Sequence, residues 1–148
     1  MPAKCVFCDI IDQAAPAHVV FEDDISIGIL DRRPLFPGHV LLVPRQHFET
    51  LPDLDPGLIA AFFANVQLLS KAVPVAMESE GTFVAINNKV SQSVPHLHVH
   101  VVPRNKKDGL RGFFWPRNPY SDEGHAEETR DRIEQTLRRL QGAKPAME

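Results

Sequence analysis

Apolar positions along the chain change period several times, and each change marks an element. Residues 9–17 predict a short helical turn ended by Pro16. Residues 18–21 and 25–30 then predict two short strands on either side of the acidic turn Glu22-Asp23-Asp24. After the turn Pro37-Gly38, residues 39–43 are nearly continuous in apolar side chains, the pattern of a strand covered on both faces and central in its sheet. Pro44 closes that strand and leaves His47 on the exit turn. From Leu58 to Val73 the spacing becomes helical, with Asp53 and Asp55 as N-caps and Pro56 at a tolerated first-turn position. Leu58, Phe62, Leu69 and Val73, with Ala61 and Leu68 beside them, make its apolar face. Pro74 lacks a backbone donor and is expected to end or kink this helix. Residues 82–86 predict a fourth strand. A last amphipathic helix starts at Ser121 as N-cap, carries acids at Asp122, Glu123, Glu127 and Glu128, shows an Ile133/Leu137/Leu140 stripe, and ends at Gly142. The tail from Ala143 is expected to fray.

The fifth strand signal differs in chemistry. In Pro95-His96-Leu97-His98-Val99-His100-Val101-Val102-Pro103, histidines alternate with β-branched and aliphatic residues between two prolines. Strand geometry puts His96, His98 and His100 on one face, roughly 6.5 Å apart, and sends Leu97, Val99 and Val101 to the core. An exposed polar face would be served as well by Thr, Lys or Glu. A binuclear metal site of HxHxD type lacks its Asp, because Val99 and Val101 flank His100. The remaining reading is a nucleophilic histidine with two helpers, since an imidazole is half neutral near pH ~6.5 and can attack phosphorus or move protons.

Composition narrows the class. A chain of 148 residues suits one domain with a full core. The net charge of −3, without a Lys/Arg block, gives no argument for nucleic acid or an anionic membrane. No apolar stretch approaches the length of a membrane span, and the N-terminus lacks a signal-type apolar region. Two cysteines exclude a disulfide scaffold and make the cytoplasm the default. Cys5 and Cys8 form a CxxC pair: a zinc half-site, a redox pair and two buried thiols are all open, although no βαβ pattern follows to suit thioredoxin-like chemistry.

His96-Leu97-His98-Val99-His100-Val101-Val102 resembles the signature of the histidine triad (HIT) family of nucleotidyl hydrolases and transferases. Cys5-Val6-Phe7-Cys8, Phe21-Glu22-Asp23-Asp24, Pro37-Gly38-His39-Val40-Leu41 and Pro44-Arg45-Gln46-His47 extend the resemblance over roughly residues 5–104. It implies an α+β, HIT-like fold: a five-stranded, mostly antiparallel sheet with two main helices, in a homodimer. The whole chain, 1–148, would be one domain, with a core at about 5–104, an aromatic segment and helix at about 105–142, and a tail at 143–148.

The same resemblance implies the site. His98 would be the nucleophile, with His100 and His39 stabilising the phosphorane and helping the leaving group, and Ser93 donating to a phosphate oxygen. Asp31 would accept from the ribose hydroxyls, and Asn87 and Gln92 would also contact the nucleotide. Zinc-bearing relatives use a CxxC pair, a histidine after the PxxH turn and the first triad histidine, which are Cys5, Cys8, His47 and His96 here. Two thiolates and two imidazoles close a tetrahedron, so that Zn2+ would be structural. Ser91 departs from the family's usual glycine; a positive φ there would cost about 1 kcal/mol or more. His18 reads as a surface histidine. The aromatics of residues 110–117 read as closing the core or covering a dimer partner's site.

The expected activity is hydrolysis at the α-phosphorus of a nucleoside phosphoramidate or dinucleoside polyphosphate, through a covalent nucleotidyl-His98. The substrate would be a purine nucleotide, adenine by resemblance. A nucleotidyl transferase, a non-catalytic nucleotide-binding scaffold and a zinc-storage protein are the competing classes.

Overall fold

The apolar run after Gly38 folds as the middle strand of a five-stranded sheet. The computed structural model describes residues 5–110 and 117–142. Its strands are β1 (Val19–Glu22), β2 (Ser26–Leu30), β3 (Val40–Pro44), β4 (Gly81–Ala85) and β5 (Val99–Arg104). Their order is β1-β2-β3-β5-β4, and every neighbouring pair is antiparallel. The helices are α1 (Val6–Ile11), α2 (Ile59–Ala76) and α3 (Glu123–Gly142). The chain divides into two compact units, one ending at Asp108 and one starting at Gly109 with α3.

Every residue of β3 is buried, as cover on both faces requires. On one face Phe62, Val66, Leu69 and Val73 of α2 pack against Val40, Leu42, Leu97, Val99 and Val101. On the other, Phe7 of α1 packs with Ile27, Ile29, Leu41 and Val43. Each such side chain contributes roughly 1.5–3 kcal/mol by leaving water. Strand alternation therefore gives Leu97, Val99 and Val101 to the α2 side and leaves the other face of this segment to the histidines.

The element boundaries differ from expectation in instructive ways. Helix α1 begins at Val6 because Cys5 caps it, its sulfur accepting from Cys8 N at 3.4 Å. Helix α2 runs two residues past Pro74, which sits in the last turn, where its missing N–H removes little of the ladder. Its buried stripe is Phe62, Val66, Leu69 and Val73, spaced as one narrow face, while Ala61 and Leu68 are exposed. The stretch Pro56–Ala76, at mean hydropathy 1.6, is long and apolar enough to cross a membrane by length and composition, contrary to the sequence expectation; its buried stripe forms one wall of the core.

Regular pairing of β5 starts only at Val99, so His96 and His98 precede the strand. The cause is a competing partner: Leu97 N donates to Phe48 O at 2.6 Å. Helix α3 is capped by Asp122, whose carboxylate accepts from His125 N at 2.7 Å, and not by Ser121. Ile133, Leu137 and Leu140 on it are all exposed. Residues 111–116, most of the expected aromatic segment, and the tail from Ala143 lie outside the described residues.

Candidate functional site

The face of the sheet opposite α2 carries a cavity of about 260 Å³. Val6, Phe7 and Ile10 of α1, with Ile29 and Leu41 of the sheet, give it apolar walls; Asp31, Ser93, His98 and His100 supply polar groups. His18 and Arg32 also line it, and Arg32 is latched to Pro16 O at 2.8 Å. His18 is exposed, as expected, yet borders the cavity. The α1 wall was missed by sequence reasoning, although Phe7 and Ile10 stand at helical spacing.

Hydrogen bonds decide the state of each ring. His98 is buried, and its Nδ1 lies 2.7 Å from His96 O. A carbonyl can only accept, so Nδ1 carries the proton and Nε2 keeps a free lone pair. His39 is buried and its Nδ1 accepts from Leu35 N at 3.1 Å. Its proton is therefore on Nε2, which donates to His100 Nδ1 at 2.9 Å. That leaves His100 with an Nε2–H donor on a ring that lines the cavity. Burial, and then repulsion from His98 and His39, pulls the His100 pKa down to about 4. Burial also lowers that of His39, while the Asp31 carboxylate pulls the other way.

Asp31 Oδ1 accepts from Arg33 N at 2.9 Å, and Oδ2 lies 3.6 Å from His39 Nε2. Asp31, His39 and His100 bring three potential metal donors together. The Leu35 N–H against His39 Nδ1 keeps the lone pair off Nε2, however, so His39 and His100 form a hydrogen-bonded relay with the Asp31 carboxylate 3.6 Å from His39 Nε2.

His96 points its chemistry elsewhere. Its Nε2 donates to Pro44 O at 2.9 Å, which turns the Nδ1 lone pair toward Cys5 Sγ at 3.4 Å and Cys8 Sγ at 3.6 Å. His47 Nδ1 lies 3.3 Å from Cys8 Sγ. The four donor atoms lie within 4.8 Å of one another. Zinc–sulfur and zinc–nitrogen bonds of about 2.3 and 2.0 Å at tetrahedral angles put ligand atoms roughly 3.4–3.8 Å apart, so the cluster fits such an ion. Burial, the hydrogen bond to Cys5 and nearby Asp12 and Asp9 push the Cys8 thiol up to about 11, a proton that a bound cation would displace. Burial pulls His96 down to about 4, so the ring is neutral and ready to ligate.

Not every expected nucleotide contact joins the cavity. Ser93 does, and is exposed there. Asn87 is exposed on the loop after β4, away from the cavity lining. The Gln92 amide is already engaged, accepting from Lys89 N of its own loop at 2.8 Å and donating to Glu49 O, on the segment after β3, at 2.6 Å. Nothing in residue type separated these two from the groups that do line the cavity. Ser91 has φ of 60°, the left-handed conformation a glycine would accept without strain.

A family model described as HIT domain matches residues 12–107. The adenylylsulfatase HINT3 of Arabidopsis thaliana is 38% identical over 108 residues, covering 72% of this chain and 55% of that protein. The chain thus spans about half the length of that relative. A member of the HIT family of proteins from Bacillus subtilis superposes with a TM-score of 0.81 at 28% identity, covering 89% of this chain and 96% of that one. A zinc-bound histidine triad family protein from Mycobacterium smegmatis superposes with a TM-score of 0.68 at 34% identity, covering 95% and 98%.

Proposed function

This chain belongs to the histidine triad family, and from that membership we propose that it is a nucleotide hydrolase working through His98. The substrate is an adenine nucleotide whose α-phosphorus bears an amine or a further phosphate group. His98 Nε2 forms a bond to that phosphorus while the bond to the leaving group breaks and its electron pair departs with the leaving group; an amine takes a proton from solvent as it leaves, whereas a phosphate group leaves as the anion. The positive charge on the nucleotidylated ring is met by His96 O, 2.7 Å from Nδ1. Water next attacks the phosphorus, releasing the nucleoside monophosphate and the free ring. His100 Nε2–H and the Ser93 hydroxyl donate to phosphate oxygens as charge grows on them. Asp31 accepts from the ribose hydroxyls, and the base lies against Phe7, Ile10, Ile29 and Leu41.

The single observation that carries the reading is the 2.7 Å contact of His98 Nδ1 with the His96 carbonyl on a ring that lines the cavity, which in the neutral imidazole leaves the lone pair on Nε2. The Arabidopsis relative, by its name an adenylylsulfatase, supports cleavage at an adenylyl phosphorus. The run from Asp31 to His39 and His100 to Arg104 favours dinucleoside polyphosphates by resemblance, and the CxxC start together with Asp31 favours phosphoramidates.

The Cys5/Cys8/His47/His96 cluster is read as a closed zinc site, supported by its donor spacing and by the zinc-bound mycobacterial relative. A zinc ion there would tie the N-terminal segment to the residues leading into β5. The working unit is taken to be a homodimer in the cytoplasm, on the strength of the resemblance and the two-cysteine composition.

Turnover of AMP phosphoramidate and diadenosine polyphosphates, measured beside calorimetric titration with AMP, tests the reading. The expected result is turnover by the wild type and a loss of at least about a thousandfold in His98→Ala, with AMP binding and the circular dichroism spectrum retained. AMP binding by the wild type without any turnover would favour the scaffold class instead.

A further inference from the structure

Asp31 faces two ways, toward the cavity and toward the rings of buried His39 and half-buried His100. The register of three strands brings this about. Leu30 pairs with Val40 across β2 and β3, so Asp31 and His39, one step further out, stand opposite each other, with Asp31 N donating to His39 O at 2.9 Å. Leu41 pairs with His100 across β3 and β5, which places His39 diagonally from His100 on the same face. The side chains follow the register. Asp31 Oδ2 is 3.6 Å from His39 Nε2, and that nitrogen is 2.9 Å from His100 Nδ1.

The carboxylate is held for this position. Its Oδ1 accepts from Arg33 N at 2.9 Å, which leaves Oδ2 facing the rings, and its side chain is only 22% exposed. At the other end Leu35 N–H occupies His39 Nδ1. The anion and this amide act in the same sense: a proton on His39 Nδ1 would meet the Leu35 N–H and leave a lone pair against the carboxylate. Both therefore hold the proton on His39 Nε2, keep His100 Nδ1 an acceptor, and leave His100 its Nε2–H donor. Apart from Asp31, the charged or titratable groups acting on His39 and His100 are His98 and each other.

We infer that Asp31 is a positioning residue for the reaction, acting through His39 on His100, and that this role is separate from its hydrogen bonds to ribose. The inference rests on the hydrolase reading above. Its consequence is a split between binding and turnover. The sugar contact is present only when the ribose hydroxyls are present, whereas the relay acts on any substrate whose phosphorus reaches His98.

The test compares wild type and Asp31→Asn on AMP phosphoramidate and on a counterpart lacking both ribose hydroxyls. Asparagine keeps an oxygen for Arg33 N but removes the anion. Wild-type turnover is expected on both substrates, with kcat falling about tenfold in the variant on both, less than the roughly hundredfold or more expected for deleting a direct donor. KM should rise only for the ribose substrate. Nitrogen NMR of the imidazoles in the free protein should show the His39 and His100 tautomers becoming mixed in Asp31→Asn, at unchanged circular dichroism. A kcat within twofold of wild type on the substrate without hydroxyls overturns this inference alone. A wild type that turns over neither substrate overturns the hydrolase reading and this inference together.

Discussion

A neutral imidazole has one donor and one acceptor nitrogen, so a single carbonyl or amide beside it decides its chemistry. This rule separates the histidines of residues 96–100. Pro44 O takes the His96 proton and frees Nδ1 for the thiols; His96 O takes the His98 proton and frees Nε2 for the cavity; His39 Nε2–H fills His100 Nδ1. The sequence could place the three on one face but could not tell which partner each ring met, because Pro44 lies 52 residues from His96 and His39 lies 61 residues from His100. Ser91 is a second residue-scale case, and here the sequence was sufficient: a serine at a position where the family resemblance implies glycine sits at φ of 60°. The left-handed strain costs about 1–2 kcal/mol, offset by the roughly 0.5–1 kcal/mol that glycine loses to chain entropy. Ser91→Gly should therefore raise stability by about 0.5–1 kcal/mol, seen as a thermal midpoint about 2 °C higher. A lower midpoint would mean that the serine hydroxyl holds the loop.

Among the elements, α1 depends most on its surroundings. Six residues are too few for a helix to persist alone in water. It is held by Phe7, packed on the sheet and edge-on to His96 and His98 at ring-centroid distances of 5.9 and 5.1 Å, and by the cysteines at its start. The same helix supplies Val6, Phe7 and Ile10 to the cavity wall. With zinc bound as proposed at the Cys5/Cys8/His47/His96 cluster, its removal, or Cys5→Ala, should lower the thermal midpoint by roughly 6–12 °C, as expected for loss of a ligand bound at 100 to 1,000 times its dissociation constant. AMP binding should weaken in parallel. Calorimetry on protein whose metal content has been measured checks both, and an unchanged AMP affinity after verified metal loss would separate α1 from the cluster. The strands were legible because their apolar runs are short and bounded by turns, and β3 because both its faces are apolar. The buried face of α2 is narrower than its apolar pattern predicts, since Leu68 and Ala61 are apolar yet exposed. Helix α1 was read too late because its cap is a cysteine, which is not among the preferred capping residues.

At the scale of the molecule, the sheet separates a dry core from a face of buried histidines, and this has a cost in acid. His96 and His100 are pulled down to about 4 by burial, and His39 is lowered as well. As pH falls below about 6.5 the unfolded chain takes up protons at these positions before the folded one does. Their contribution to stability is thus complete above about pH 6.5 and is lost as pH drops toward 4. Urea midpoints should fall over that window, and His100→Asn, which carries no titrating ring there, should flatten part of the slope. A midpoint independent of pH between 7 and 4.5 would show that the rings are more solvated than the fold makes them.

In the proposed reaction His98 becomes covalently bonded to the α-phosphorus. Quenching the protein during turnover of AMP phosphoramidate, followed by peptide mass spectrometry, tests it directly. The expected result is a nucleotidyl group on the peptide containing His98, located on that residue and absent from His98→Ala. Substrate consumed with no adduct, or an adduct on another residue, would contradict the account.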